Sequence, residues 1–122
     1  MESEVAALIS LNLLIGEKES NGEGAYLRDE VLAPSFAMRR AKEGKVVDKD
    51  TFLEGVKQSP QRSTRVVSVA FFGENRATVS CVVTFEGRYY DNFRLFVRES
   101  SGLPWKLLAW ANEELTSDWP GA

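Results

Sequence analysis

The chain has 122 residues, 43% hydrophobic and 27% charged, with a formal net charge of −3. That composition suits one soluble globular domain and excludes extended disorder, and the acidic balance argues against a nucleic-acid surface, which needs clustered Lys and Arg. One Cys and no His leave no intramolecular disulfide and no donor set for zinc or haem, so no cofactor is expected.

Ser3 ahead of EVAALISLNLLIGEKES predicts an N-capped helix with an acidic first turn. Val5, Leu8, Ile9, Asn12 and Ile15/Gly16 fall on one stripe at three- and four-residue spacing. The apolar run at 5–15 is too short to span a bilayer and follows Glu2 and Glu4 instead of a basic leader, so no membrane contact and a cytoplasmic location are expected. Asn21-Gly22 tolerates the left-handed backbone that stops a helix. A second helix, about 23–32, brings Tyr26, Leu27, Val31 and Leu32 to one side before Pro34 ends it. FAMRRA alternates as a strand, with Phe36, Met38 and Arg40 against Ala37, Arg39 and Ala41, and KEGK turns it back through Val46-Val47. Asp48 is the expected N-cap of a third helix, DKDTFLEGVKQ, closed by Ser59-Pro60.

Residues 64–72, 76–86, 88–98 and 104–113 then read as four long strands, separated by turns short enough for an antiparallel meander. The expected class is α+β: one domain over 1–122, with three N-terminal helices packed on the concave face of a strongly curved, mainly antiparallel sheet. Both sheet faces are largely apolar. Ala77, Val79, Cys81, Val83 and Phe85 share one, while the second carries Thr, Ser, Val, Tyr, Phe and Trp where a solvated face would be charged. A homodimer through the outer face is therefore expected.

The segments APSFAMRRAKEGKVVDKDTFLEGV and RLFVRESSGLPWKLLAWANEEL carry a resemblance that covers about residues 4–115. In them the chain resembles the nuclear transport factor 2-like superfamily, the cystatin-like cone fold also seen in ketosteroid isomerases and SnoaL-type polyketide cyclases. The resemblance implies a pocket between helices and sheet and an outer face that dimerises. It does not carry an activity over. The isomerase base sits on the first strand, where FAMRRA has no carboxylate, and the dehydratase branch uses His, which this chain lacks.

A pocket of that kind is apolar, with a few inward polar groups. The candidates are Asn112 and Trp110 on the last strand, Tyr90, Asn92 and Arg94 on the one before, Met38 and Arg40 on the first, and Asn12 and Tyr26 on the helices. Each has a structural alternative: Asn112 can satisfy a strand edge, Arg94 can pair with Asp91 or Glu113, Trp110 can be core, Tyr26 can pack helix on sheet, and Arg40 can be solvated at the hairpin mouth. Asp91 and Glu113 are the carboxylates available for catalysis, were burial to raise the pKa of either. The primary expectation is a homodimer binding a small, partly apolar ligand, anionic because of Arg40 and Arg94. The alternatives are a cofactor-independent isomerase, cyclase or dehydratase, and a pure protein-interaction module.

Overall fold

A computed structural model describes residues 2–40 and 44–115. Along the chain run α1 (Glu2–Ser20), α2 (Gly24–Tyr26) continuing into a π-helical turn (Leu27–Val31), β1 (Leu32–Arg40), β2 (Lys45–Asp48), α3 (Lys49–Glu54), β3 (Ser63–Phe71), β4 (Arg76–Phe85), β5 (Arg88–Val97) and β6 (Lys106–Leu115). The class is α+β, as expected, with the helices against a curled sheet.

The six strands lie in one sheet, ordered β2-β1-β6-β5-β4-β3. The C-terminal meander is antiparallel throughout, and β1 joins its last strand in parallel, with Met38 beside Trp110 and Arg40 beside Asn112. The N-terminal hairpin thereby extends the large sheet. Lys42 and Glu43 of its KEGK turn, like Ala41, lie outside the described residues.

Helix termini follow their local chemistry. The Gly22 N–H donates to Glu19 O and the Glu23 N–H to Lys18 O, a Schellman closure that places Gly22 at φ 71°. Asp48 caps α3 as expected, its carboxylate accepting from the Thr51 N–H at 2.9 Å. That helix ends at Glu54, sooner than its sequence pattern suggests, because Gly55 follows. The helix α1 already includes Ser3, so Ser3 is not its N-cap. The helical segment after Gly24 stops at Val31, and the strand begins at Leu32, ahead of Pro34.

Leu8, Asn12 and Ile15 of α1 are fully buried, whereas Ile9, expected on the same stripe, is exposed. They close over Phe36, Phe52, Val79, Phe96, Leu107 and Trp110.

The register of β4 on β5 divides the two sheet faces. Val79 opposes Arg94 and Cys81 opposes Asn92, so these share the helix-covered side, while Ser80, Val82, Asp91 and Phe93 share the outer side. Strict alternation, which groups Leu108 with Trp110, fails at a bulge. Leu95 opposes Ala109 and Phe96 opposes Leu107, which leaves Leu108 unmatched and turns both Leu107 and Trp110 inward.

Candidate functional site

At one end of the sheet, β1 and β6 run out together while β5 begins. Their ends, with those of β4, α1 and α3, surround a cavity of about 210 Å³. Met38 and Arg40 come from β1, Phe52 from α3, Val83 and Phe85 from β4, Tyr90 and Asn92 from β5, Trp110 and Asn112 from β6. Glu19 from the last turn of α1 and Arg62 from the loop before β3 complete it.

That loop is fastened to the end of α1. Ser59 N–H donates to Ser20 O at 2.9 Å, Asn21 bridges to Gln58, and Arg62 Nη1 donates to the hydroxyls of Ser20 and Ser59 at 2.8 and 3.2 Å. The Arg62 guanidinium lies over the Phe85 ring, 4.5 Å from its centroid.

Behind the cavity wall runs a buried polar chain. Asn12 Nδ2 donates to Leu8 O at 2.7 Å, and its Oδ1 accepts from Arg94 Nη1 at 2.9 Å. Arg94 Nη2 donates to Asn92 Oδ1 at 3.3 Å, and Trp110 Nε1 donates to the same oxygen. Both are obligate donors, so the Asn92 amide has one orientation, with Nδ2 turned to Tyr90 O at 3.0 Å. The Arg94 guanidinium also stacks on Trp110, 4.1 Å from the ring centroid.

Arg94 is completely buried and makes no ion pair with a described residue; its Nε has no hydrogen-bond partner. It acts on Glu19, whose carboxyl is pushed up by burial and pulled back by Arg94, Arg62 and Arg40. The Glu19 carboxylate, the Asn112 amide and the Tyr90 hydroxyl make no hydrogen bond to a described residue. The cavity therefore presents uncommitted polar groups on an apolar floor, within an excess of positive charge.

Of the residues singled out from the sequence, Met38, Arg40, Tyr90, Asn92, Trp110 and Asn112 line this cavity. Asn12 and Arg94 stand behind it and reach it through Asn92 and Trp110. Tyr26 is elsewhere, half-exposed beneath the Lys18 ammonium at 4.5 Å. Asp91 and Glu113 are likewise misplaced by the sequence argument: they oppose each other on the outer sheet face, where neither reaches the cavity or Arg94.

The carboxylate that does reach it, Glu19, was missed, and a signal was present. Leu8, Asn12, Ile15 and Glu19 continue a single 4-3-4 spacing, so the buried stripe of α1 runs one turn past its last apolar residue. Arg62 has no comparable signal, because only the fastening of its loop to α1 brings it in.

The fold of this chain is shared by several solved structures. An NTF2-like protein of unknown function from Silicibacter pomeroyi is 16% identical with a TM-score of 0.75, covering 93% of this chain and 98% of that one. An NTF2-like protein of unknown function in nutrient uptake from Rhodospirillum rubrum is 20% identical with a TM-score of 0.74, over 88% and 98% of the two chains. A candidate dehydratase from the NTF2-like family of Streptomyces avermitilis is 13% identical with a TM-score of 0.74, over 95% and 99%. No protein-family model matches this sequence, nor does any curated protein. The chain thus has the fold of nuclear transport factor 2-like, cystatin-like proteins, and that likeness concerns the fold alone.

Proposed function

We propose that the protein binds a small, partly apolar anion in the cavity at the open end of the cone. The observation that carries this is the charge around the cavity: Arg62 lines it, the fully buried Arg94 stands directly behind it, and neither is ion-paired with a described residue. A buried cation without a counter-ion is costly, and an anion seated at the cavity recovers part of that cost. Phe52, Met38, Val83 and Phe85 supply the apolar contact, and Asn112 and Tyr90 supply hydrogen bonds that no described residue uses.

An open cavity of about 210 Å³ counts against a pure interaction module, whose interior would be filled by rings. A second reading, acid–base catalysis on the bound ligand, is favoured by one feature, the Glu19 carboxyl facing the cavity. The outer face of the sheet is proposed to pair with a second copy of the chain. Val46 and Phe93 are 64% and 53% exposed there beside a groove of about 310 Å³, and Arg39 lies on the same face as Asp91 and Glu113. A two-fold axis can set the cation of each copy against the carboxylates of the other.

Thermal-shift measurement against small carboxylates, polyketides and steroids tests the ligand. Saturation at a hundred times Kd stabilises the native state by about 2.7 kcal/mol. The midpoint is expected to rise with carboxylates and to rise less in Asn112→Leu. A midpoint unmoved by all three classes contradicts the proposal.

A further inference from the structure

We propose that the ligand is a small monocarboxylate with an apolar body, and that it enters together with one proton, which Glu19 carries. Resting on the anion-site reading above, this names the ligand class and the second species that must accompany it.

The geometry sets the requirement. Glu19 stands on the last turn of α1, where helix carbonyls present negative partial charge, and it faces the same cavity as Asn92, Asn112 and Tyr90. No described residue donates a hydrogen bond to its carboxylate. A carboxylate ligand places a second negative group in about 210 Å³. Two carboxylates that share a site do not both stay ionised, and one proton held between them is the lower-energy arrangement. Protonated Glu19 then donates its O–H to an oxygen of the ligand, with the proton drawn from solvent and no bond to carbon made or broken. A volume below the 300–1,000 Å³ of ordinary small-molecule sites restricts the apolar body to one ring or a short chain.

The charged and titratable groups facing Glu19 are Arg40 on β1, Arg62 before β3, Cys81 on β4, and Tyr90 and Arg94 on β5; α3 and β6 contribute Phe52, Trp110 and Asn112. Arginine keeps its charge at any working pH, and burial pushes the Cys81 thiol up, away from neutrality. Burial also pushes the Glu19 carboxyl up, toward neutrality. Of the two carboxylates, Glu19, whose carboxyl burial pushes up, is the one that holds the proton.

Isothermal titration of the full chain with sodium benzoate, from about pH 5 to pH 8 and in two buffers of different ionisation enthalpy, tests both parts. Benzamide is the neutral control. Wild type is expected to take up close to one proton per benzoate at the alkaline end, with affinity falling toward tenfold per pH unit there. Glu19→Gln, which keeps a donor without a charge, is expected to bind at least as tightly as wild type at its acid limit, at every pH. The wild-type proton count needs no variant and stands whether or not Glu19→Gln folds. Benzoate binding with no proton uptake, or a pH slope that survives in Glu19→Gln, overturns the proton coupling and leaves the anion site intact. Failure of benzoate to bind at any pH, or tighter binding of benzamide, overturns the anion site and this inference with it.

Discussion

Arg94 is the largest fully buried side chain among the described residues. Replacing it by Met removes a desolvated charge, which is favourable, but strips Asn12 Oδ1 of its donor and Trp110 of its stacked cation. The orphaned acceptor costs about 1–3 kcal/mol and the lost cation–π contact up to about 2 kcal/mol. The losses exceed the relief, because the Asn12 and Asn92 amides already accept from the guanidinium and moderate its charge. Arg94→Met is expected to destabilise by about 2–3 kcal/mol, read as a lower urea midpoint at unchanged slope. Adding Asn12→Leu removes both partners together, so the double variant should cost at least about 1 kcal/mol less than the two single losses summed. Simple additivity would mean that the two side chains do not depend on each other. Glu19 acts on stability with the opposite pH sign from a salt-bridged carboxylate. Its folded pKa is raised by burial, so the contribution of Glu19 to stability is fullest below the ordinary Glu value and is lost as pH rises from there through the raised folded value. Glu19→Gln should remove that slope from a pH series of unfolding free energies, and a slope unchanged in the variant would show that another group sets it.

At the scale of elements, the site depends on how α1 ends. Gly22 adopts φ 71°, and a Cβ built there would stand 2.6 Å from Gln58 N, so the closure of α1 and its fastening to the loop that holds Arg62 meet at one residue. Gly44 has a similar φ of 64° with no described residue within 4 Å of its added Cβ beyond its chain neighbours. Gly44→Ala therefore incurs only the left-handed backbone term, about 1–2 kcal/mol. Gly22→Ala incurs the same term plus a clash with backbone and is expected to cost at least about 1 kcal/mol more in denaturant unfolding. Equal losses at the two positions would mean that the loop yields freely and does not hold Arg62 in place. The other element-level device is the bulge at Leu108, which turns Trp110 inward, onto Arg94 and Asn92. Without the extra residue, Leu107 and Trp110 could not both face the helices.

For the whole molecule, the two faces of one sheet carry different surroundings. The inner face holds the core and, at its open end, the cavity; the outer face carries Val46, Phe93 and Leu95 with Ala109 and Ala111. Asp91 and Glu113 are directly opposed there, an arrangement of like charges that is unfavourable unless a cation approaches. In the dimer proposed above, the Arg39 of a second copy meets that need. Sedimentation or light scattering of wild type is expected to report twice the mass of one chain, and Phe93→Asp the mass of one. A single-chain mass for wild type at micromolar concentration contradicts the dimer. Since the cavity is built from one copy, Phe93→Asp should keep its benzoate affinity.

The sequence by itself determined the class of fold, the helix stop at Gly22 and the helix start at Asp48, the four-strand meander and a set of polar residues on apolar stripes, because periodicity and turn chemistry are local properties. It also placed six cavity-lining side chains on the correct strands, since alternation survives wherever a strand is regular. Only the tertiary structure decided which face of the sheet the helices cover, because the register of β4 on β5 aligns two regular alternations without choosing a side, and a single bulged residue in β6 inverts the pattern on either side of it. It likewise withdrew Asp91, Glu113 and Tyr26 from the cavity and brought in Glu19 and Arg62. Those two meet across more than forty residues of sequence through the fastening of a loop to a helix end, a contact that no local spacing encodes.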